Sequence, residues 1–289
     1  MNRAVTPLRL VTFWHFLLSN KRMISFSYNP LRHIVFAVAA IAALLPSAAK
    51  GQSQAAQATP PDRTPVLVEL FTSEGCSDCP PADALLAKLD TQQFVAGAQA
   101  IVLSEHVTYW NHEGWRDPFS FDAMTARQQD YIREFALGDA YTPQMVVDGA
   151  EQFTGSDAPK LEHAVAHAAA TPKLALTIAD AHRAADGSII FSVQAASVSK
   201  ATLVAVVAEN ATHADVSRGE NAGRTLHHVA VVRVLKDFGS SAAEGRVLQL
   251  TGANLLSAEK DGEPLRLVVF LVNRSDGHVT AIAEQTLAP

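Results

Sequence analysis

The two cysteines of the chain, Cys76 and Cys79, lie where an apolar run at residues 66–71 gives way to a stretch with helical spacing at residues 77–90. The first pattern predicts a buried strand and the second a helix. Amides at the start of a helix have no intrahelical acceptor, and the helix dipole favours negative charge there. This position therefore favours Cys76 as the attacking thiolate, with Cys79 one turn later able to close on a mixed disulfide.

Three neighbours of the cysteines refine this prediction. Pro80 and Pro81 suit the first turn of a helix, where the amides have no partner to lose. Asp78 places a like charge beside the thiolate and should partly oppose the lowering of the thiol pKa. We therefore expect a mildly reducing or isomerising couple and not a strong oxidant.

Residues 65–170 continue this alternation of strands and helices. Further strands are predicted at residues 100–103, 144–147 and 152–153, and further helices at residues 122–137 and 156–170. Asp148-Gly149 is a typical hairpin turn between two of these strands. The order β-α-β-α-β-β-α predicts an α/β fold whose mixed sheet has parallel and antiparallel pairs.

The composition changes at Thr171-Pro172, after which apolar, β-branched runs alternate with turn signals and little helix is evident. The runs are residues 174–178, 189–193, 203–207, 229–235 and 267–272. This rhythm predicts a smaller, antiparallel β-sandwich-like domain. We therefore predict two domains, at residues 65–170 and 171–289.

The first 49 residues have the features of a secretory signal peptide. They contain five basic residues and no acidic one, an apolar run at residues 34–45, and a small-residue exit that favours cleavage after Ala49. Met23 would give a signal of more conventional length and is an alternative start. Residues 50–64 are polar and lack periodicity, as expected of a linker. The protein is therefore predicted to be exported, to a periplasm or to the outside.

Charge and motif content limit the classes of partner. Without residues 1–49 the chain has 18 basic and 29 acidic residues, a net charge of −11. An acidic exported protein is a poor candidate for binding nucleic acid or an anionic membrane. The sequence also contains no phosphate-binding loop, hydrolase nucleophile elbow or zinc-binding helix motif. We expect no cofactor and no resident metal.

A second sequence feature is Tyr141-Thr142-Pro143, which directly precedes the strand at residues 144–147. Strand, Cys-x-x-Cys, helix and then Thr-Pro before a strand make residues 66–155 similar to the thioredoxin superfamily. More closely, the chain resembles the exported thioredoxin-like family catalogued as domain of unknown function 1223. The segments that carry this resemblance are VELFTSEGCSDCPPAD, HVTYWNHEGWRDPFS, YTPQMVVDG and RGENAGRTLHHVAVVR.

The resemblance implies a thioredoxin-like domain at residues 65–170 with Cys76 and Cys79 as its dithiol. It also implies that Pro143 is a cis proline facing the dithiol, with Thr142 presenting its backbone to a bound client peptide. The dipeptide Ser77-Asp78 between the cysteines departs from the Gly-Pro of ordinary thioredoxin. The family itself implies a fold and a compartment but no substrate.

Aromatic and histidine residues crowd the segment after the strand at residues 100–103. His106 and Trp110 are candidates to line the dithiol, as a wall for a client peptide or, for His106, as a proton donor to a leaving thiolate. A metal site formed by His106, His112 and Glu113 is disfavoured because the spacing matches no ligand template. A local aromatic core with exposed histidines is the alternative.

The segment RGENAGRTLHHVAVVR also offers two interpretations. A hydrogen-bonded turn between the domains is favoured, and the alternative is that Arg218 or Arg224 reaches an anionic group near the dithiol. His227 and His228 are adjacent in a predicted strand, so they should point to opposite faces and not share a metal ion.

Together these patterns predict an exported thiol–disulfide oxidoreductase that acts on protein thiol or disulfide clients. Cys76 would attack, Cys79 would resolve, and Thr142 with Pro143 would position the client. Two alternatives stay open at this stage. One is a non-catalytic binding protein whose disulfide is static, because close cysteines in an exported protein are readily oxidised. The other is a Cu(I) carrier, because two thiolates suffice for that soft ion.

Overall fold

The structure is a computed structural model that describes residues 63–195, 200–240, 246–252, 255 and 264–287. The predicted signal peptide, residues 1–49, and residues 50–62 of the predicted linker lie outside the described residues. Thr64, the last residue of that linker, already belongs to the first strand. In the described part of the chain, no helix is both long and apolar enough to span a membrane.

The described residues form eleven strands, three α-helices and one 3₁₀ turn at Tyr109–His112. The α-helices are α1 Pro80–Gln92, α2 Asp122–Glu134 and α3 Ala158–Ala169. The first strands are β1 Thr64–Thr72, β2 Ala98–His106, β3 Gln144–Val147 and β4 Glu151–Thr154. The remaining strands are β5 Leu176–Arg183, β6 Ile189–Ala195, β7 Ala201–Asp215, β8 Thr225–Asp237, β9 Val247–Leu250, β10 Leu265–Asn273 and β11 Val279–Leu287.

A large mixed sheet organises the molecule, with the strand order β11-β10-β7-β8-β2-β1-β3-β4. Strand β1 is parallel to β2 and antiparallel to β3, and β8 is parallel to β2. The predicted α/β fold with a mixed sheet is therefore confirmed. Asp148 and Gly149 both have positive φ in the turn between β3 and β4, which confirms the predicted hairpin.

The helices cover both faces of β1. The side chain of Leu70 lies on the α1 side, because a Cβ placed on Gly155 would touch both Leu70 and Ala82 of α1. The ring of the next residue, Phe71, is 5.9 Å from the ring of Tyr131 in α2. Successive strand residues point to opposite faces, so α1 and α2 lie on opposite sides of the sheet. The end of β1 thus leads directly into the loop that begins α1.

A separate antiparallel sheet of β5, β6 and β9 packs on the strands that follow α3. Its apolar side chains, including Phe191 and Leu250, share a core with Leu267 and Val269 of β10. The predicted small antiparallel sheet is confirmed, while the division into two domains at residue 171 stays a prediction. Strand β8 lies beside β2, so strands from both sides of that boundary share the large sheet.

Candidate functional site

The cysteine pair is a disulfide at the entrance to α1, with Cα atoms 5.4 Å apart. Cys79 is the N-cap residue, and Pro80 and Pro81 occupy the first helical positions. The helix therefore begins three residues later than the predicted start at Ser77. The two prolines remove no intrahelical hydrogen bond at this place, because the first amides of a helix have no acceptor there.

The Thr142–Pro143 peptide lies against Cys76. This peptide bond is cis, as predicted. The Sγ atom of Cys76 is 3.9 Å from the carbonyl oxygen of Thr142. Trp110 donates a hydrogen bond from Nε1 to the hydroxyl of Thr142 at 2.7 Å. Thr142, Pro143 and Trp110, all predicted for this site, are thus brought together beside the disulfide.

Both sulfurs of the disulfide are covered. Cys76 is 1% exposed and Cys79 is 0% exposed, whereas Ser77 and Asp78 between them are exposed. Trp110 lies close on one side, since a Cβ placed on Gly75 would come within 3.1 Å of the Trp110 Cβ. The backbone between the cysteines therefore reaches solvent, but the sulfur predicted to attack does not.

His106 lies behind the disulfide loop and not on an exposed wall. It ends β2, is 1% exposed, and its Nδ1 is 2.7 Å from Oδ2 of Asp117. The same carboxylate accepts hydrogen bonds from the amides of Glu74 and Phe119. Burial alone would raise the pKa of Asp117, but the charge of His106 and these hydrogen bonds lower it. His106 therefore helps to hold the loop that contains Cys76.

The disfavoured metal interpretation gains no support. His112 and Glu113 are exposed, whereas His106 is buried. No group of three His, Cys, Asp or Glu side chains could hold a metal ion within the ranges that the structure describes. On β8, His227 is exposed and His228 is buried, which confirms that the adjacent histidines point to opposite faces.

His228 joins two acidic residues behind the disulfide. Its Nε2 is 3.3 Å from Oε1 of Glu74, and its Nδ1 is 3.9 Å from Oδ1 of Asp83. Its ring also contacts the ring of His106, with centroids 4.6 Å apart. We call Glu74, Asp83, His106, Asp117 and His228 the acid–histidine cluster; all five are buried. The cluster joins β2, β8 and the start of α1.

The pKa shifts in the cluster concern Asp83 and His228 as well as Asp117. Burial raises the pKa of Asp83, and the charges of His228 and His106 oppose that shift only in part. Burial alone would lower the pKa of His228, but the hydrogen bond to Glu74 and the nearby carboxylates raise it. The cluster thus favours the protonated form of both groups relative to the same side chains in water.

Asp83 is the member of the cluster placed to exchange a proton with Cys79. It follows Cys79 by four residues at the start of α1, and its amide donates to the Cys79 carbonyl. Side chains four residues apart on a helix are neighbours and tilt towards the N-terminus. The Oδ1 atom of Asp83 makes no hydrogen bond with any residue that the structure describes. That atom faces Nδ1 of His228 at 3.9 Å, and its carboxyl group belongs to the residue one turn after the resolving cysteine.

The loop between β7 and β8 contacts the disulfide loop directly. Asn221, 1% exposed, donates from Nδ2 to the carbonyl oxygens of Glu74 and Cys76, each at 2.9 Å. Glu220 accepts a hydrogen bond from the amide of Ser77 at 3.0 Å. Arg224, one of the two arginines considered from the sequence, donates to Oδ1 of Asn221 at 2.8 Å. The favoured hydrogen-bonded turn is therefore present, and Arg224 supports it.

A second buried ionic group lies on the α2 side of the sheet. Glu69 of β1 and Glu105 of β2 are both 0% exposed. Arg127 of α2 is 2.5 Å from Glu69 and 3.5 Å from Glu105, measured from Nε to the nearest carboxylate oxygen. The hydroxyl of Tyr131 donates to Glu69 at 2.6 Å. This group fixes α2 to the two strands whose ends form the site.

A cavity of about 530 Å³ in the described part of the chain is not at the disulfide. It is lined by the turn between β3 and β4, by α3, by the segment that precedes β5 and by the turn between β10 and β11, and includes Asp148 and Lys173. Asp148 follows β3, whereas Pro143 precedes it, so the cavity lies at the opposite end of that strand. This cavity is therefore separate from the disulfide site, whose two cysteines are buried.

The sequence of residues 67–271 matches the model of the family described as protein of unknown function, DUF1223. The chain belongs to this family. The match includes both cysteines, the Thr142–Pro143 peptide, the loop between β7 and β8, and every residue of the acid–histidine cluster. The family resemblance predicted from the sequence is therefore confirmed at this level.

Comparison with solved structures supports the fold. A crystal structure of a protein from Agrobacterium tumefaciens is 24% identical, with a TM-score of 0.56, over 78% of this chain and 95% of that chain. HBP35 of Porphyromonas gingivalis is 14% identical, with a TM-score of 0.44, over 78% of this chain and 76% of that chain. None of the curated proteins matches the sequence. The first likeness shows a shared fold and no more.

Proposed function

We propose that the protein is an exported thiol–disulfide oxidoreductase built on a thioredoxin-like arrangement of β1, α1, β2, β3, β4 and α3. The observation that carries this proposal is the position of the Thr142 carbonyl, 3.9 Å from the Cys76 sulfur and directly before the cis proline. A client backbone bound at Thr142 would bring its own sulfur next to Cys76. The cysteine pair at the start of α1 supplies the dithiol for the exchange.

The first step depends on the position of Cys76 beside the start of α1. In the reduced protein, the Cys76 thiolate is stabilised by the N-terminal end of α1 and attacks one sulfur of a client disulfide. The client S–S bond breaks, a mixed disulfide forms at Cys76, and the other client sulfur leaves as a thiolate that takes up a proton. Trp110 and Thr142 form the side of the site against which the client lies.

The second step assigns a role to Asp83. Its carboxylate takes the proton of the Cys79 thiol, and the resulting thiolate attacks Cys76 Sγ. The Cys76–Cys79 bond forms, the remaining client sulfur leaves, and Asp83 returns the proton to it. Two electrons pass from the dithiol to the client, and a thiol reductant of the compartment restores the dithiol.

The proposed compartment and client class follow from the sequence. The signal-like residues 1–49 support export, and the net charge of −11 after their removal argues against nucleic acid as a partner. Protein thiols or disulfides are the proposed clients, because the exposed residues Ser77 and Asp78 and the Thr142 peptide lie beside the cysteines. A polypeptide could make main-chain contacts there once the Ser77 amide is released from Glu220.

A second candidate is a non-catalytic binding protein with a static disulfide. The observation that favours it is the 1% exposure of Cys76, because a catalytic sulfur must become accessible to its client. The oxidoreductase proposal therefore requires a change in the cover of Cys76 during the reaction.

Trapping of mixed disulfides tests the proposed function. In the exported Cys79→Ser variant, a client attacked by Cys76 cannot be released, so covalent adducts should accumulate and disappear on addition of dithiothreitol. The Cys76→Ser variant is the matched control and should give none. Absence of adducts in Cys79→Ser would reject the oxidoreductase, and stoichiometric Cu(I) binding by the wild-type dithiol would then favour the copper carrier.

A further inference from the structure

Two adjacent residues of one loop hold both polar atoms of the peptide group that follows Cys76. Asn221 donates to the Cys76 carbonyl oxygen at 2.9 Å, and Glu220 accepts from the Ser77 amide at 3.0 Å. These atoms belong to the same peptide group, so the loop engages both the donor and the acceptor of the backbone beside the attacking cysteine. The contact crosses more than 140 positions of sequence and comes from the hairpin of β7 and β8.

The side chain of Asn221 is oriented by its own loop. Arg224 donates to its Oδ1, which leaves Nδ2 directed at the carbonyl oxygens of Glu74 and Cys76. Two backbone hydrogen bonds close the base of the loop. The amide of Val216 donates to the carbonyl oxygen of Arg224, and the amide of Gly223 donates to the carbonyl oxygen of Val216. Hydrogen bonds within the loop therefore fix its conformation independently of its contacts with the disulfide loop.

The loop also packs closely against the segment that contains Trp115. A Cβ on Gly219 would lie 3.1 Å from the Glu113 carbonyl oxygen and 3.1 Å from the Trp115 Cβ, and Gly219 has a φ of +79°. A side chain at this position is therefore strained and crowded at once. Glycine permits the close approach that places Glu220 and Asn221 on the Cys76–Ser77 peptide.

We infer that residues Val216–Arg224 are a latch that keeps Cys76 covered and must open before a client or a reductant reaches its sulfur. The two contacts differ in strength. Glu220 is exposed, so water competes for its hydrogen bond, whereas Asn221 is buried and its two bonds are shielded. Opening frees the Cys76–Ser77 peptide for main-chain contacts with a client. This use of the latch rests on the proposed function; its effect on access to the sulfur does not.

The test measures how fast a water-soluble trialkylphosphine reduces the oxidised protein at pH 7. The phosphine attacks one sulfur, and with one water molecule it becomes the phosphine oxide while the disulfide becomes two thiols. Alkylation with a maleimide-polyethylene glycol then counts the thiols over time. We expect Asn221→Ala combined with Glu220→Ala to react at least about tenfold faster than wild type, because three hydrogen bonds that hold the latch are lost.

Three further variants make the result specific. Glu220→Gln keeps an acceptor for the Ser77 amide and should react within about twofold of wild type, since its hydrogen bond is retained. Thr225→Ala removes a hydrogen bond to Asp215 on the same hairpin that does not involve the disulfide loop, and should also match wild type. Gly219→Ala keeps Glu220 and Asn221 but crowds the loop, and should accelerate reduction.

Urea unfolding of each variant separates opening of the latch from loss of the fold. Faster reduction in the double variant and in Gly219→Ala, with unfolding midpoints near that of wild type, supports the latch. Wild-type reduction rates in both of these variants overturn it, as does equal acceleration in Thr225→Ala. Faster reduction together with no trapped client in Cys79→Ser would keep the latch and reject the proposed function.

Discussion

Replacing Arg127 with alanine is expected to lower the free energy of unfolding by about 3–5 kcal/mol, because it leaves a buried charge without its partner. Burial alone would raise the pKa of Glu69, but the charge of Arg127 lowers it, so this carboxylate is ionised in the folded protein. Burial and the nearby Glu69 raise the pKa of Glu105 well above its usual range. The surroundings of Glu105 thus favour its protonated form, while Arg127 balances the charge of Glu69.

Urea unfolding at pH 7 measures this effect, and Glu105→Gln is the matched control. Burial favours the neutral form of Glu105, so the amide should change stability far less than Arg127→Ala does. An acid whose pKa is raised by folding makes the protein less stable as pH rises above about 4.3, its unfolded value. Glu105→Gln should remove that part of the pH dependence. If Arg127→Ala lowered the free energy of unfolding by less than about 1 kcal/mol, the buried ion pair of Arg127 and Glu69 would not be formed as described.

Replacing Arg127 should also change the position of Thr142 beside the disulfide. Gln128, its neighbour in α2, donates a hydrogen bond to the carbonyl oxygen of Tyr141 at 2.8 Å. Tyr141 directly precedes Thr142, so the position of α2 and the position of the client-facing peptide are linked. Partial release of α2 is expected to move Thr142 away from Cys76 before the protein unfolds.

Replacing Asp83 with asparagine is expected to slow attack by Cys79 on a mixed disulfide about 100-fold, the usual scale for loss of general acid–base catalysis. The reduced protein is mixed with 5,5′-dithiobis(2-nitrobenzoate). Attack by Cys76 releases one coloured thiolate, and attack by Cys79 on the mixed disulfide releases the second. In Asp83→Asn the first release should keep its rate, and the second should become slow.

The control for Asp83→Asn is Asp78→Asn, which changes an exposed acid beside the same cysteines and should leave the second release unaffected. Stability gives an independent reading. Folding raises the pKa of Asp83, so its ionised form makes the protein less stable as pH rises above about 3.9. Asp83→Asn should therefore be more stable than wild type at neutral pH while it resolves more slowly. Equal second-release rates would remove Asp83 from the reaction.

Local signals predicted the elements that carry the cysteines and the proline. The apolar run of β1, the helical spacing after Cys79 and the Thr-Pro before β3 each depend on a few adjacent residues, and each is found in the structure. Helix ends were less well predicted. The helix predicted at residues 122–137 ends at Glu134, and Ala136 just beyond it has a positive φ. Strand β11 was not predicted.

The acid–histidine cluster needed non-local information that the sequence did not supply. His228 reaches Glu74 because β8 lies parallel to β2, a pairing between strands more than 100 residues apart. Asn221 reaches Cys76 for the same reason. The sequence did contain a signal for the other buried acids, Glu69 and Glu105, because each interrupts an apolar run. A charged residue is rarely fully buried unless it is paired, so these positions indicated a buried basic partner. Alternation along β2 also places His106 on the same face as Ser104.

The reduction potential of the Cys76–Cys79 couple tests the central claim most directly. The protein is equilibrated in buffers of reduced and oxidised dithiothreitol or glutathione, and its free thiols are counted by alkylation after rapid quenching. A catalytic couple should have a potential between about −270 and −120 mV, the range of thiol–disulfide exchange proteins. A potential below about −300 mV would contradict the account, because such a bond is a structural disulfide that a glutathione pool does not open.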